Sequence, residues 1–143
     1  MISPPTPSND PPSHGLQRAS RAIVLADDDD DVREALVELL SDDPRLRVVA
    51  AGADADQAIA LCREHLPDVV LVDVNMPAGG GERVARVLSE ERNDLVIVAL
   101  SANADRATRR RMLAAGADAF VAKGHAGELI TVLATAARSS RWP

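Results

Sequence analysis

Acidic, hydroxyl and ammonium side chains stand at the ends of short apolar runs in this sequence. Asp27 and Asp28 follow the first run, Asp73 ends the third, Ser101 follows the fourth, and Lys123 follows the fifth. Carboxylates that lie a few ångströms apart repel one another, so three of them bind a proton or a cation. A carboxylate, a hydroxyl and an ammonium beside a divalent cation are the groups that in-line phosphoryl transfer uses. The pattern predicts that Asp73 is a nucleophile that forms an aspartyl phosphate.

Mg²⁺ is the cation that these residues favour. Asp27, Asp28 and Asp73 offer carboxylate oxygens, and the backbone carbonyl of Asn75 could add another oxygen. No His or Cys stands near them in the sequence, which favours Mg²⁺ over zinc. A calcium loop is excluded because Val32 stands where that loop requires glycine.

The apolar runs themselves predict the elements that position these side chains. They are AIVLA (22–26), RVVAA (47–51), VVLVD (69–73), LVIVAL (95–100) and AFVA (119–122), and they alternate with stretches whose apolar residues recur with a spacing near 3.6. Five strands alternating with five helices predict a parallel sheet with right-handed crossovers, which is a three-layer, doubly wound α/β fold. Ligands bind such sheets at the carboxyl ends of the strands, where the reactive side chains stand. No GxGxxG or GxxxxGK motif is present, so no dinucleotide or ATP site is expected.

Two segments contain residues that could cap the N-terminus of a helix. Asp29 to Asp31 suit the N-cap and first turn of the first helix, although a run of five aspartates is also typical of a solvated face. Either Ser101 or Asp105 could cap the fourth helix, and a cap at Asp105 leaves Ser101 to the site. The segment 78–81, Ala-Gly-Gly-Gly, predicts a flexible loop.

The amino-acid composition of the chain limits the classes of partner that it is expected to bind. The net charge is −6, and the aromatic side chains are only Phe120 and Trp142, so neither a general basic field nor stacking platforms for nucleic acid are expected. Lys123 is the single lysine beside fifteen arginines, which suggests a position that needs a compact ammonium.

Cellular location and domain limits follow from the same reading. One cysteine, Cys62, fits a reducing compartment, and neither a signal peptide nor a membrane helix is recognised, so the cytoplasm is expected. Residues 1–20 are rich in proline and predict a disordered tail, residues 21–138 one domain, and residues 139–143 a short C-terminal tail.

Four motifs together resemble the response-regulator receiver domain of two-component signalling. They are IVLADDDDDVREAL (23–36), PDVVLVDVNMPAGGG (67–81), VALSA (98–102) and AGADAFVAKG (115–124), and their order and spacing match over residues 21 to about 138. The resemblance implies a flavodoxin-like (βα)5 fold with sheet order 2-1-3-4-5. One departure is Gly124, which stands where the family often has proline after the lysine.

The resemblance also implies a role for each site residue. Asp73 is then phosphorylated by a histidine kinase or phosphotransfer protein, and Mg²⁺ is held by Asp28, Asp73 and the Asn75 carbonyl, with Asp27 acting through water. Ser101 becomes the switch hydroxyl that moves onto the phosphoryl group, and Lys123 pairs with that group. Phe120 takes the position of the family's switch aromatic.

Partners implied by the resemblance are proteins. Receivers signal through the fourth helix, fifth strand and fifth helix to a downstream protein, which is unknown here, and a phosphorylation-dependent homodimer is a further partner. No helix-turn-helix segment follows the fifth helix, so direct binding of nucleic acid is not expected. The chain is expected to catalyse only its own phosphorylation and dephosphorylation, not the turnover of an outside substrate.

Two other functions stay open at this point. A phosphatase like haloacid dehalogenase also forms an aspartyl phosphate, but it needs a second aspartate two residues later, where this chain has Asn75. A receiver-like module that binds partners without phosphorylation is the other alternative. The chain keeps every residue of the family's core set (Asp27, Asp28, Asp73, Ser101 and Lys123), which argues against this alternative. The basic cluster at 106–111 is either a solvated face or a partner surface.

Overall fold

A five-stranded parallel sheet forms the centre of the computed structural model, which describes residues 20–139. The strands are β1 (Arg21–Ala26), β2 (Leu46–Gly52), β3 (Val69–Asp73), β4 (Val96–Ser101) and β5 (Ala119–Ala122). The helices are α1 (Asp30–Ser41), α2 (Ala55–His65), α3 (Gly80–Glu91), α4 (Arg106–Ala115) and α5 (Ala126–Thr135). The strand order is β2-β1-β3-β4-β5, with all four pairings parallel. The predicted doubly wound, flavodoxin-like fold is therefore confirmed.

The predicted strand limits agree with the structure to within one residue. The third and fifth strands match without change, whereas β4 begins and ends one residue later than predicted and β2 gains one residue at each end. Nearly all of the disordered tail predicted for residues 1–20, and residues 140–143 of the C-terminal tail, lie outside the described residues. Within residues 20–139, no helix is both long enough and apolar enough to cross a bilayer.

Two hydrophobic cores lie on opposite faces of the sheet. Because side chains alternate along a strand, Val70 and Val72 of β3 point to one face and Val69 and Leu71 to the other. The first core includes buried side chains of α2, α3 and α4, and the second includes those of α1 and α5. Every residue of β3 and β4 is buried, which explains why these strands are apolar without alternation.

Aspartate side chains cap the helices whose N-termini follow strands β1, β2 and β4. Asp29 accepts hydrogen bonds from the backbone N–H groups of Asp31 and Val32, at 2.9 and 3.1 Å. Asp54 caps α2, and Asp105 caps α4 by accepting from the N–H of Thr108 at 2.7 Å. Asp29 is thus the N-cap of α1, and the cap at Asp105 leaves the Ser101 hydroxyl available for other contacts.

The loop after β3 is shorter than the sequence predicts. A short 3₁₀ turn spans Pro77–Gly79, and α3 begins at Gly80, inside the segment expected to be a flexible loop. Gly80 has φ +67° and ψ −170°, and a Cβ there would lie 2.3 Å from the carbonyl oxygen of Val74. A Cβ at Gly81 would lie 2.9 Å from the carbonyl oxygen of Asp73. These glycines therefore let the start of α3 approach the backbone that follows β3.

Candidate functional site

The carboxyl ends of the strands are aligned by hydrogen bonds that continue past the sheet. Asp27 N–H donates to the carbonyl of Gly52 at 3.1 Å, and Lys123 N–H donates to the carbonyl of Ser101 at 2.8 Å. The N–H of Val74 donates to the carbonyl of Leu100 at 3.0 Å. The backbone next to each candidate residue is thereby fixed relative to the neighbouring strand.

Three aspartates meet at this edge of the sheet. Asp27, Asp28 and Asp73 each offer one carboxylate oxygen, and these atoms all lie within 4.8 Å of one another. Asp27 and Asp73 are buried, while Asp28 is exposed. The structure therefore brings together the three carboxylates that the sequence assigns to a cation.

Lys123 lies between two of these carboxylates. Its Nζ is 3.0 Å from Asp27 Oδ2 and 3.4 Å from Asp73 Oδ1. Burial by itself lowers the pKa of Lys123, but the Asp27 and Asp73 carboxylates outweigh burial and raise this pKa. The single lysine of the chain therefore carries a full positive charge at the strand ends.

Burial and the neighbouring Asp27 carboxylate both disfavour the ionised form of Asp73. Burial raises the pKa of this carboxyl above its ordinary value, and the Asp27 carboxylate raises it further. Lys123 and a hydrogen bond from the backbone N–H of Asn75 oppose that rise without cancelling it. The ionised form of Asp73 is thus held in an unfavourable place, which a bound cation would relieve.

The hydrogen bonding of the Asp27 carboxylate also indicates a place for a bound cation. Its Oδ1 accepts from the N–H of Asp29 at 2.9 Å, whereas its Oδ2 is buried without a well-aligned hydrogen bond from any residue in the range 20–139. Lys123 Nζ is near Oδ2, so the contact there is an ion pair with poor hydrogen-bond alignment. An all-oxygen set with one incompletely satisfied carboxylate oxygen fits a hard divalent cation such as Mg²⁺.

The Ser101 hydroxyl is turned toward the loop that follows β4. Ser101 is fully buried, and its Oγ donates to the carbonyl of Asn103 at 2.8 Å and accepts from the N–H of Asn103 at 3.1 Å. Any movement of this hydroxyl toward Asp73 must break the bond to the Asn103 carbonyl.

The Phe120 ring lies in the core on the α4 side of the sheet. It is 6% exposed, and its residue pairs with Ala99 of β4. The guanidinium of Arg109 in α4 stands over the ring, with Cζ 5.4 Å from the ring centroid. The predicted switch aromatic is therefore in contact with a cation of α4.

Sequence reasoning missed two groups that support the site. Arg33 donates from Nη1 to the carbonyl of Asp27 at 2.9 Å and pairs with Asp30, so it holds the end of β1 against α1. The i,i+3 spacing from Asp30 is a sequence signal for that pair, but the bond to Asp27 has none. Asp73 also accepts a hydrogen bond from the backbone N–H of Asn75, a residue whose carbonyl alone is assigned to the site from the sequence.

Comparison with known proteins places this geometry in a family. Residues 23–134 match the family model of the response regulator receiver domain. The chain is 34% identical over 101 residues to the transcriptional regulatory protein DegU of Brevibacillus brevis, covering 71% of this chain and 43% of DegU. It is 36% identical over 129 residues to protein-glutamate methylesterase/protein-glutamine glutaminase 2 of Xanthomonas euvesicatoria pv. vesicatoria, covering 82% of this chain and 36% of that protein.

A solved structure agrees with these matches. The signal receiver domain of NarL from Mycobacterium tuberculosis superimposes with a TM-score of 0.76 at 29% identity, covering 80% of this chain and 93% of that domain. The chain spans less than half the length of the two curated relatives. Those relatives carry different activities by name, so the shared domain assigns no output activity by itself. The match over residues 23–134 shows that the chain belongs to the response regulator receiver domain family of two-component signalling.

Proposed function

We propose that this receiver is a switch in which Asp73 accepts a phosphoryl group from a histidine kinase or a phosphotransfer protein. The observation that carries the proposal is the convergence of Asp27, Asp28, Asp73 and Lys123 at the strand ends, with the lysine ammonium between two buried carboxylates. A partly buried cation beside the nucleophile is an arrangement that stabilises charge on a transferring phosphoryl group. Cys62 is a buried cysteine with a free thiol, which is consistent with a protein that acts in a reducing compartment such as the cytoplasm.

The group transfer makes one bond and breaks one. An Asp73 carboxylate oxygen attacks phosphorus, and the bond from phosphorus to the donor nitrogen of a phosphohistidine breaks. The histidine nitrogen leaves with the electron pair, and Asp73 becomes an acyl phosphate. Lys123, already 3.4 Å from Asp73 Oδ1, then pairs with a phosphoryl oxygen.

The chain's own carboxylates would hold a metal ion for this step. Asp27, Asp28 and Asp73 supply oxygens that lie within 4.8 Å of one another, and the carbonyl of Asn75 adds a fourth ligand in this proposal. Mg²⁺, when bound, supplies positive charge that offsets the negative charge of the phosphoryl oxygens. The poorly satisfied Asp27 Oδ2 supports a metal contact at this carboxylate, directly or through water.

The switch then shifts a conformational equilibrium. The Ser101 hydroxyl leaves the Asn103 carbonyl for the phosphoryl group, since only that arrangement offers it a charged acceptor. Its movement opens space near Phe120, which lies one strand away on β5, and changes the face formed by α4, β5 and α5. The output is contact with a downstream protein or with a second copy of the chain, and no outside substrate is turned over.

Intact-mass spectrometry of the full chain after incubation with acetyl phosphate tests the proposal. With Mg²⁺ we expect a gain of one phosphoryl mass, and without Mg²⁺ no gain. Asp73→Ala should abolish the gain. Asp56→Ala, which removes an exposed aspartate of α2, is the matched control and should leave it unchanged.

The alternatives predict different spectra. A phosphorylation-independent binding module shows no gain under any condition, which would overturn the proposal. A phosphatase of the haloacid dehalogenase type would release inorganic phosphate from added phosphomonoesters, and the exposed Asn75 offers no second carboxylate for that chemistry. A phosphoryl gain that persists in Asp73→Ala would also exclude Asp73 as the acceptor.

A further inference from the structure

The β3–α3 loop, residues 74–79, contains a residue in a conformation that its side chain disfavours. Ala78 has φ +69° and ψ +27°, which is the left-handed region of the backbone. For a residue other than glycine, this conformation is disfavoured by a factor of about 5 to 30. The methyl group of Ala78 is exposed, so burial of this side chain does not compensate for the strain. Other contacts must therefore hold the loop in this shape.

Arg83 of α3 makes a contact of this kind. Its Nη1 donates to the carbonyl of Ala78 at 2.8 Å and to Asp56 Oδ1 of α2 at 2.7 Å. The aliphatic part of the same side chain packs against Gly79, since a Cβ built on Gly79 would lie 2.7 Å from Arg83 Cδ and 2.8 Å from Arg83 Cβ. The guanidinium therefore holds a loop carbonyl while the side-chain stem covers the neighbouring glycine.

The bond to Ala78 is the part of this contact that acts on the loop. The ion pair with Asp56 joins two exposed side chains, which are 68% exposed for Asp56 and 41% exposed for Arg83, and exposed pairs contribute little to stability. The carbonyl of Ala78 belongs to the strained residue itself, and a charged donor makes a stronger bond to it than a neutral donor would. Arg83 can therefore act on the loop without the help of Asp56.

The same loop carries the backbone that faces the phosphoacceptor. Asn75 donates its N–H to Asp73, and in the proposed function the Asn75 carbonyl is a ligand of Mg²⁺. The first residue of the loop, Val74, donates to the Leu100 carbonyl at 3.0 Å and accepts from the Gly81 N–H at 3.1 Å. Asn75 thus lies between a fixed start of the loop and the strained turn. Order in the strained turn therefore affects how well the Asn75 carbonyl is placed for a cation.

We propose that Arg83 is a positioning residue that holds the β3–α3 loop in the shape that binds Mg²⁺, by fixing the carbonyl of the strained Ala78. The role of Mg²⁺ rests on the proposed function, whereas the contact itself does not. When only a fraction of the molecules has the binding-competent loop, the apparent Kd rises in inverse proportion to that fraction. Loss of the Arg83 contact should therefore weaken Mg²⁺ binding about fivefold, which is the lower end of the range for the strain.

The sign of the effect separates positioning from a simple effect of charge. The Arg83 guanidinium and Mg²⁺ are both positive, so an arginine that acted only through its charge would repel the ion, and its removal would tighten binding. A positioning residue predicts weaker binding on its removal. Arg86 is the matched control, because it has the same charge on the same helix but donates to Glu82 at 2.5 Å and not to the loop.

Nuclear magnetic resonance of the isotope-labelled full chain tests the proposal without a phosphoryl donor. Titration with MgCl₂ gives the Kd from the amide shifts, and hydrogen exchange of the Gly81 N–H in metal-free buffer reports opening of the loop. Arg83→Met keeps the aliphatic stem over Gly79 and removes the guanidinium, and it should raise both the Kd and the exchange rate about fivefold. Arg83→Lys keeps a charged donor and should raise them less, and Arg86→Met should not weaken Mg²⁺ binding.

Two further variants locate the point at which Arg83 acts. Ala78→Gly removes the penalty for the left-handed conformation, so in this background Arg83→Met should change the Kd less than about twofold. Asp56→Ala removes only the exposed ion pair and should leave the Kd within about twofold of the parent value.

The kinetics of phosphorylation by acetyl phosphate, followed by intact mass at increasing Mg²⁺, provide a second readout. Arg83→Met should need about five times more Mg²⁺ for the half-maximal rate and should reach the same rate at saturation, because the bound ion restores the competent loop. A lower rate at saturating Mg²⁺ would indicate a general loss of structure and would contradict the positioning role.

Other contrary results overturn the proposal in distinct ways. Tighter Mg²⁺ binding by Arg83→Met would show a charge effect, and unchanged Gly81 exchange would show that Arg83 does not hold the loop. Faster exchange with an unchanged Kd would reject the link to the metal. An equal effect of Arg83→Met with and without Ala78→Gly would reject the strained carbonyl as the point of action. If the parent chain binds no Mg²⁺, the metal site of the proposed function is wrong, while Gly81 exchange still decides whether Arg83 holds the loop.

Discussion

Four glycines allow backbone strain to be separated from steric overlap in the loops and helices that follow strands β3 and β5. Gly80 combines a positive φ of +67° with a close backbone contact, and Gly81 has the close contact without a positive φ. Gly124 has φ +95° with nothing within 4 Å of an added Cβ, and Gly127 in α5 has neither feature. Substituting each by alanine therefore gives a complete two-by-two comparison.

The expected change in the free energy of unfolding follows from these two features, the positive φ and the close contact of an added Cβ. Gly127→Ala should raise the free energy of unfolding by about 0.5–1 kcal/mol, because alanine favours the helix and meets no atom. Gly124→Ala should lower it by about 1–2 kcal/mol through the left-handed backbone alone. Gly81→Ala should lower it by about 1–3 kcal/mol, because the Cβ lies 2.9 Å from the Asp73 carbonyl oxygen and 3.1 Å from Val72 Cγ2.

Gly80→Ala carries both penalties and should be the most destabilising of the four. Its Cβ would lie 2.3 Å from the Val74 carbonyl oxygen, so the sum of the two penalties is about 2–5 kcal/mol. Urea denaturation followed by circular dichroism measures all four free energies. The reasoning is refuted if Gly81→Ala is as stable as the parent, or if Gly80→Ala is no worse than Gly124→Ala.

Three further perturbations test other contacts. Leu66→Gly should stabilise the fold by about 1 kcal/mol in the same assay, because Leu66 is 64% exposed and holds φ +48° at the end of α2. Arg21→Ala should cost about 1–2 kcal/mol, because its guanidinium donates to the carbonyl of Ala136 at 2.7 Å beyond α5; unchanged stability would contradict this capping role. Asp73→Asn without Mg²⁺ should raise stability at neutral pH, since burial and Asp27 raise the pKa of Asp73 and so penalise its ionised form. That gain should shrink as the pH falls through the raised folded-state pKa and should vanish below the ordinary value of 3.8, where the carboxyl is protonated in both folded and unfolded chains; a pH-independent gain would contradict it.

Much of the fold could be predicted from local sequence. The strands are recognisable because a sheet covered on both faces needs apolar runs such as VVLVD, and all five residues of this run are buried in β3. Asp29 and Asp105 are candidate caps from the sequence because capping depends on residues two or three positions apart, but Ser101 is an alternative to Asp105 that only the structure excludes. The parallel topology places Asp27, Asp73, Ser101 and Lys123 at one edge, so their convergence was predictable from the strand ends alone.

The sequence by itself determined which side chains stand at the strand ends and which elements carry them, because those features depend on neighbours along the chain. Tertiary structure decided that Lys123 lies between Asp27 and Asp73, that Ser101 bonds to Asn103, and that Arg109 stands over Phe120. It also decided that Gly80 and Gly81 serve close approach and not loop flexibility. These contacts depend on how far helices and loops lie from the sheet and on side-chain rotamers, which long-range packing sets and sequence spacing does not encode.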